Sequence, residues 1–269
     1  MSQSSFPRAR KRFGQNFLHD ESIINSIVEA ISPEEGQHLV EIGPGRGALT
    51  EPLLQRCSKL DVIELDRDLV PLLRRQFSDY KQLQIHEADA LRYDYSQLIT
   101  EQKPLRIIGN LPYNITTPLL FHLLSFADAI TDMCFMLQKE VVERICAQPG
   151  TKQYGRLSIM IQYQCHTDML FVVPPEAFDP VPKVESAIIY LQPRKQPLGG
   201  DVDIRVLSQI VTQAFSHRRN TIANTLKKFI SPEIFLAADI DPTQRPETIS
   251  VDAFVRLTRC YLAASAESQ

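Results

Sequence analysis

Between residues 38 and 147 short apolar runs alternate with stretches of helical periodicity, and this alternation restricts the fold more than any other feature of the chain. His38–Ile42, Leu60–Glu64, Gln84–His86, Leu105–Ile108 and Met133–Leu137 read as strands. Helical segments run through Leu53 and Leu54, through Leu69, Leu72 and Leu73, from Thr117-Pro118 through Leu123, and over Glu140–Ala147. Strands joined by crossover helices form a parallel sheet covered on both faces. Such a sheet lines up the C-terminal ends of its strands along one edge, where open α/β sheets bind ligands. Upstream, Asp20 is placed to cap a helix whose apolar face is Ile23, Ile24, Ile27, Val28 and Ile31.

After residue 150 the pattern changes. Leu157–Tyr163 is apolar and fits a helix or a strand. Met169–Val173 and Ala187–Leu191 read as two strands joined by a proline-rich loop, an antiparallel finish to the sheet. Gln192–Asp201 holds Pro193, Pro197, Gly199 and Gly200 and marks a boundary, so the expected domains are 1–195 and 200–269. Beyond it Val206, Leu207, Ile210, Val211, Ala214 and Phe215, then Ile222, Leu226 and Phe229, then Phe254, Leu257 and Tyr261 recur at helical spacing, predicting a small α-helical domain. The 269 residues suffice for both cores, and 43% hydrophobic with 23% charged residues is an ordinary globular balance. No apolar run reaches the length of a membrane span, and residues 1–12 hold no signal-peptide core. Cys57, Cys134, Cys146, Cys165 and Cys260 form no C-x-x-C pair, which predicts free thiols in the cytoplasm rather than disulfides or a zinc site. The six histidines lack ligand spacing, so no metal is expected. A monomer is expected.

Net charge is only −3, but it is unevenly spread. No acid precedes Asp20, whereas Arg8, Arg10, Lys11 and Arg12 do. None lies between Asp203 and Glu233, whereas Arg205, Arg218, Arg219, Lys227 and Lys228 do. Two acid-free basic stretches in a mildly acidic chain predict local phosphate contacts, and hence a nucleic-acid partner, for Arg8, Arg10, Lys11, Arg12, Arg218, Arg219, Lys227 and Lys228.

Four polar elements fall at successive strand ends. Gly43-Pro44-Gly45-Arg46-Gly47 is a glycine turn between strand and helix, in which Gly43 and Gly45 let a ligand approach the backbone. Alone it is a weak signal, and Arg46 fits the dinucleotide fingerprint poorly. Glu64, about 20 residues beyond the turn, suits a ribose diol. Asp89 follows the third strand and can accept from an adenine amine. Asn110-Leu111-Pro112-Tyr113 follows the fourth. There the Asn110 amide oxygen and the Leu111 carbonyl can take the two N–H bonds of an exocyclic amine, Pro112 stiffens the turn, and the Tyr113 ring can lie against the base. The first three elements point to an adenosine-type cofactor. The base-gripping fourth favours S-adenosylmethionine over a nicotinamide, with S-adenosylhomocysteine as product.

With these motifs in order, the chain resembles the rRNA adenine N6-dimethyltransferases, most closely the bacterial small-subunit type. The resemblance covers nearly the whole chain and rests on Phe13-Gly14-Gln15-Asn16-Phe17-Leu18, the Glu41–Gly47 turn, Glu64, Asp89, Gly109–Tyr113 and Phe178-Asp179-Pro180-Val181-Pro182-Lys183-Val184-Glu185-Ser186. It implies a Rossmann-like class I S-adenosylmethionine-dependent methyltransferase sheet with a small C-terminal α-helical domain. It also implies cofactor contacts from Asn16, Leu18, Gly43, Glu64, Asp89 and Asn110, and an aromatic pair, Tyr113 and Phe178, around the base. Phe215, Arg218, Arg219 and Thr221 match a C-terminal basic signature whose further basic positions are Asn220 and Ala223 here. The implied substrate is two adjacent adenines in the 3′-terminal hairpin of small-subunit (16S) rRNA, within an immature subunit, each dimethylated at N6. Alternatives are a large-subunit (23S) rRNA dimethyltransferase, which commonly has isoleucine where Leu111 stands, a non-catalytic assembly factor, and a DNA adenine methyltransferase.

Overall fold

The computed structural model describes residues 15–99, 104–217 and 219–267. Arg8, Arg10, Lys11, Arg12 and Arg218, assigned above to RNA contact, lie outside the described residues. The chain divides into two compact units. The first runs to Val142 and takes in Asp168–Pro193, and the second comprises Glu143–Thr167 and the residues from Arg194 on.

The first unit carries most of a seven-stranded sheet of order β4-β3-β2-β5-β6-β9-β7. Its strands are β2 (His38–Ile42), β3 (Lys59–Glu64), β4 (Leu83–Glu87), β5 (Leu105–Asn110), β6 (Ile130–Gln138), β7 (Cys165–Val173) and β9 (Ser186–Pro193). β4, β3, β2, β5 and β6 are parallel, and β9 pairs antiparallel with β6, as the sequence predicts. Helices α1 (Glu21–Ile31), α2 (Thr50–Leu54) and α3 (Val70–Gln76) contribute Ile27, Val28, Ile31, Leu53, Leu54 and Leu73 to one core cluster with β2 and β3. Helix α4 (Thr116–Leu124) buries Leu119, Leu120 and Leu123 separately, with His122 against the Tyr95 ring.

Local chemistry explains several boundaries. Asp20 accepts from the Ser22 and Ile23 amides and starts α1, as expected. At the other end of α1, Arg106 Nη2 and Nη1 donate to the carbonyls of Ile31 and Ser32 (2.6 and 3.2 Å), satisfying orphan acceptors with a cation. β6 begins three residues earlier than its apolar run, because Asp132 is bound by Arg106 Nε and Tyr190 Oη and can be buried inside a strand. Gly109 is required by proximity: a Cβ there would collide with the Ile42 carbonyl oxygen on the neighbouring strand.

Two short strands were not foreseen. β1 (Phe17–Leu18) pairs antiparallel with β8 (Phe178–Asp179), with Phe17 opposite Asp179 and Leu18 opposite Phe178. Motifs 160 residues apart in sequence thereby become one ribbon.

The second unit holds α6 (Arg156–Gln164), α7 (Ile204–Ala214), α8 (Ile222–Leu226), α9 (Pro232–Ala237) and α10 (Val251–Glu267); α5 (Lys139–Cys146) ends within it. The ambiguous run 157–163 is a helix. The division by contacts differs from the contiguous split into 1–195 and 200–269, because 143–167 groups with the C-terminal helices. Polar bonds give the reason. Tyr154 Oη donates to the Ile249 carbonyl (2.9 Å), the Gly150 amide donates to the Glu247 carbonyl (2.7 Å), and Tyr163 Oη accepts from the Val202 amide (3.1 Å). Phe215 packs between Tyr154 and Phe254.

One buried charge sits away from the ligand edge. Asp61 on β3 is fully buried and accepts from Nε2 of both His38 and His86, each at 2.6 Å. Burial alone would raise its carboxyl, but the two hydrogen bonds outweigh burial and hold it at about 2. A folded pKa below the ordinary 3.8 stabilises the fold above about pH 4, and this contribution drains away as pH falls toward 2. Asp61→Asn is expected to cost about 2 kcal/mol at pH 7. In urea melts the gap to the parent protein should close between pH 4 and 2, and a gap independent of pH would contradict this account.

Candidate active site

A cavity of about 350 Å³ opens at the C-terminal edge of β2, β3, β4 and β5, within the first unit. Asn16, Leu18, Gly43, Gly45, Glu64, Asp89, Asn110, Leu111, Pro112 and Tyr113 all line it. The parallel register aligns these loops, because Ile42, Ile63 and Gly109 are direct partners across β3-β2-β5.

Glu64 is 6% exposed. Its Oε1 accepts from the Asp66 amide (2.8 Å) and its Oε2 from the Gly45 amide (3.3 Å), which ties the glycine turn to the end of β3. Burial nevertheless raises its carboxyl above the ordinary range. Each oxygen keeps a lone pair that can accept from a diol. Asp89 receives the Leu91 amide at 3.0 Å, and Arg92 Nε lies 3.9 Å from its other oxygen.

Glu41 was passed over in the sequence except as part of the turn motif. It is 2% exposed, lines the cavity and accepts from Thr50 Oγ1 at 2.6 Å. Burial, opposed by the Thr50 bond and reinforced by the nearby Glu64 charge, pushes it up to about 7. The readable signal was a carboxylate inside an apolar strand immediately before a glycine turn. Two buried acids of raised pKa make the cavity a place for a cation.

Asn110 is oriented by the N-terminal motif. Its Nδ2 donates to the Asn16 carbonyl at 3.2 Å. A carbonyl oxygen only accepts, so the amide nitrogen must face it and Oδ1 is left as the acceptor. The Leu111 amide donates to the Met136 carbonyl (3.2 Å), and the Ile115 amide closes a turn onto the Pro112 carbonyl (3.2 Å). Tyr113 Oη shares a hydrogen bond with Ser186 Oγ at 3.0 Å, which gives the buried serine ending the proline-rich motif a role the sequence did not reveal. Gln15 Nε2 donates to Asp66 Oδ2 at 2.9 Å, tying the same N-terminal motif to the loop after β3.

Phe178 is not brought into the cavity. It is 1% exposed and belongs to the core cluster with Phe17 and Ile188. β8 pairing turns the ring into the core, where it backs the N-terminal motif. In the second unit, Arg219, Lys227 and Lys228 are exposed, and Thr221 caps α8 through the Asn224 amide. Among the described residues, no group of three or more His, Cys, Asp or Glu is disposed to hold a metal, and no helix is long and apolar enough to cross a membrane.

The family described as ribosomal RNA adenine dimethylase matches residues 7–262. Ribosomal RNA small subunit methyltransferase A of Pseudomonas aeruginosa is 54% identical over 257 residues, covering 96% of each protein. The protein of the same name from Chromohalobacter salexigens is 56% identical over 254 residues, covering 93% of this chain and 90% of that one. Among solved structures, the 23S rRNA methyltransferase ErmE aligns with a TM-score of 0.71 at 25% identity, covering 91% of this chain and 99% of that one. A dimethyladenosine transferase from Plasmodium falciparum shares the fold, with a TM-score of 0.76 at 24% identity and coverage of 90% and 95%. A match over nearly the whole chain, with more than half the positions shared with proteins of like length, makes this protein a member of the ribosomal RNA adenine dimethylase family.

Proposed function

We propose that this protein methylates N6 of two adjacent adenines in the 3′-terminal hairpin of small-subunit (16S) rRNA, using S-adenosylmethionine and giving N6,N6-dimethyladenosine. The substrate is rRNA within an immature small subunit, and the protein works as a cytoplasmic monomer. The observation that carries this reading is the Asn110 amide, held by the Asn16 carbonyl with Oδ1 as acceptor, in the cavity that Glu64 and Asp89 also line. The small-subunit substrate is supported over the large-subunit one by relatives above 50% identity that bear the small-subunit name, against 25% for the 23S methyltransferase.

The residues present fit the cofactor. Glu64 would hold the ribose diol, Asp89 the adenine amine, and Gly43 and Gly45 would let its chain lie against the backbone. Asn16 and Leu18 would close over it, and Glu41 would face its positive charge. When bound, S-adenosylmethionine supplies an electrophilic methyl group. For the first methyl, Asn110 Oδ1 and the Leu111 carbonyl accept the two hydrogens of the target amine, which makes the nitrogen more tetrahedral and withdraws its lone pair from the ring toward the methyl; the second transfer keeps one of these bonds, and each time the proton leaves to water afterwards. No side chain needs to remove a proton beforehand, so orientation and fixed dipoles supply most of the rate. Tyr113, braced by Ser186, stacks on the extruded base, a contact worth about 1–3 kcal/mol. The first unit performs the chemistry. The second recognises the subunit, with Arg219, Lys227 and Lys228 meeting phosphate.

Labelled S-adenosylmethionine incubated separately with undermethylated small subunits, large subunits and DNA tests the reading, and label is expected on adjacent small-subunit adenines alone. Asn110→Ala should abolish transfer while weakening cofactor binding only modestly; retained activity would refute the role of the amide. Glu64→Ala should weaken cofactor affinity about 10- to 100-fold in calorimetry, the range for loss of a charged hydrogen bond of about 1.5–3 kcal/mol. Because Glu41 is raised to about 7, it is partly protonated at pH 6.5, and a cationic ligand drives it to ionise. Cofactor binding at pH 6.5 should therefore release protons, measured as a dependence of calorimetric enthalpy on buffer ionisation enthalpy. Glu41→Gln should remove that dependence.

A further inference from the structure

Arg46 follows the second glycine of the turn and was the residue that fitted a dinucleotide fingerprint least. Its guanidinium carbon lies 4.2 Å from the centroid of the Phe17 ring. Its Nη1 lies 3.5 Å from Asp179 Oδ2. Phe17 and Asp179 are the cross-strand partners that begin the β1–β8 ribbon. Arg46 therefore grips both strands at one register position, from the glycine turn. The fit beneath it is close, since a Cβ on Gly45 would come 3.1 Å from Phe17 Cδ1. One residue before Phe17, the Asn16 carbonyl receives Asn110 Nδ2.

We propose that Arg46 is a positioning residue for methyl transfer: by clamping Phe17 to Asp179 it fixes the Asn16 carbonyl, which holds the Asn110 amide with Oδ1 toward the acceptor amine. This rests on the reading of Asn110 as the amine acceptor. Arg46 also lines the cavity, and its effect on Asn110 passes through Phe17 and Asn16. The ring contact carries more of the clamp than the ion pair. The Asp179 side chain is 68% exposed against 31% for Arg46, and a pair so open to solvent is screened. A planar guanidinium over an aromatic face is also a contact that lysine reproduces only in part. The consequence for rate is out of proportion to the contact, because a displacement on the order of 1 Å in a reacting geometry costs about 100-fold.

The test uses the full chain and the variants Arg46→Ala, Arg46→Lys and Asp179→Asn. Turnover is measured on undermethylated small subunits at saturating S-adenosylmethionine, and thermal midpoints are recorded beside it. The side-chain amide signal of Asn110 is followed by 15N NMR without cofactor, assigned by its loss in Asn110→Ala. Arg46→Ala is expected to lower turnover about tenfold or more, with a smaller change in the KM for S-adenosylmethionine, and to shift the Asn110 amide signal. Arg46→Lys should recover part of both, and Asp179→Asn should fall less than Arg46→Ala. Unchanged turnover in Arg46→Ala, an Asn110 signal that does not move, or losses that simply follow the thermal midpoint would overturn the proposal. A parent protein that binds S-adenosylmethionine but leaves small-subunit adenines unmodified would overturn the functional reading, and the clamp's catalytic meaning with it. In that case the amide signal still decides whether Arg46 orients Asn110.

Discussion

The parallel register of β4, β3, β2 and β5 is the constraint on which the rest depends. Each strand ends at the same edge, so the four loops leaving it must meet. The glycine turn, Glu64, Asp89 and Asn110 are spread over 67 positions of sequence, from 43 to 110, yet line one cavity of about 350 Å³. The packing that allows this is tight where β2 and β5 meet. Gly109 has no room for a side chain against the Ile42 carbonyl, and the next residue is Asn110.

Neighbouring strands of the same sheet treat buried carboxylates in opposite ways. Asp61 has an imidazole N–H for each oxygen and is held at about 2, so its charge supports the fold. Glu41 has one hydroxyl and an acidic neighbour and is pushed up to about 7. A protein that kept both acids equally satisfied would be more stable and would offer a cationic ligand less. Carboxylates perturbed by burial in this way cluster at binding sites.

Much of this was legible in the chain. The strand and helix alternation from His38 to Cys146 needs only apolar spacing, and the strand-end polar residues follow from it. The run 157–163 was not legible, because a short continuous apolar stretch has no period, and its partners lie at Ile145, Ala147 and Val202. The direction of the Phe178 ring was not legible either, because a motif says nothing about which way a two-residue strand turns its side chains. Ser186, Gln15 and Arg46 were invisible as functional groups, since each acts on a residue at least 50 positions away or across the β1–β8 ribbon.

The sequence alone determined the fold class, the ligand edge and the identity of the groups on it, because periodicity and turn chemistry are local properties. Only the tertiary structure decided how those groups are aimed. It set the Asn110 amide against the Asn16 carbonyl, buried Glu41 beside Glu64, turned Phe178 inward, and moved 143–167 into the second unit. These outcomes depend on long-range contacts and on desolvation, and neither quantity exists until distant segments of the chain have been brought together.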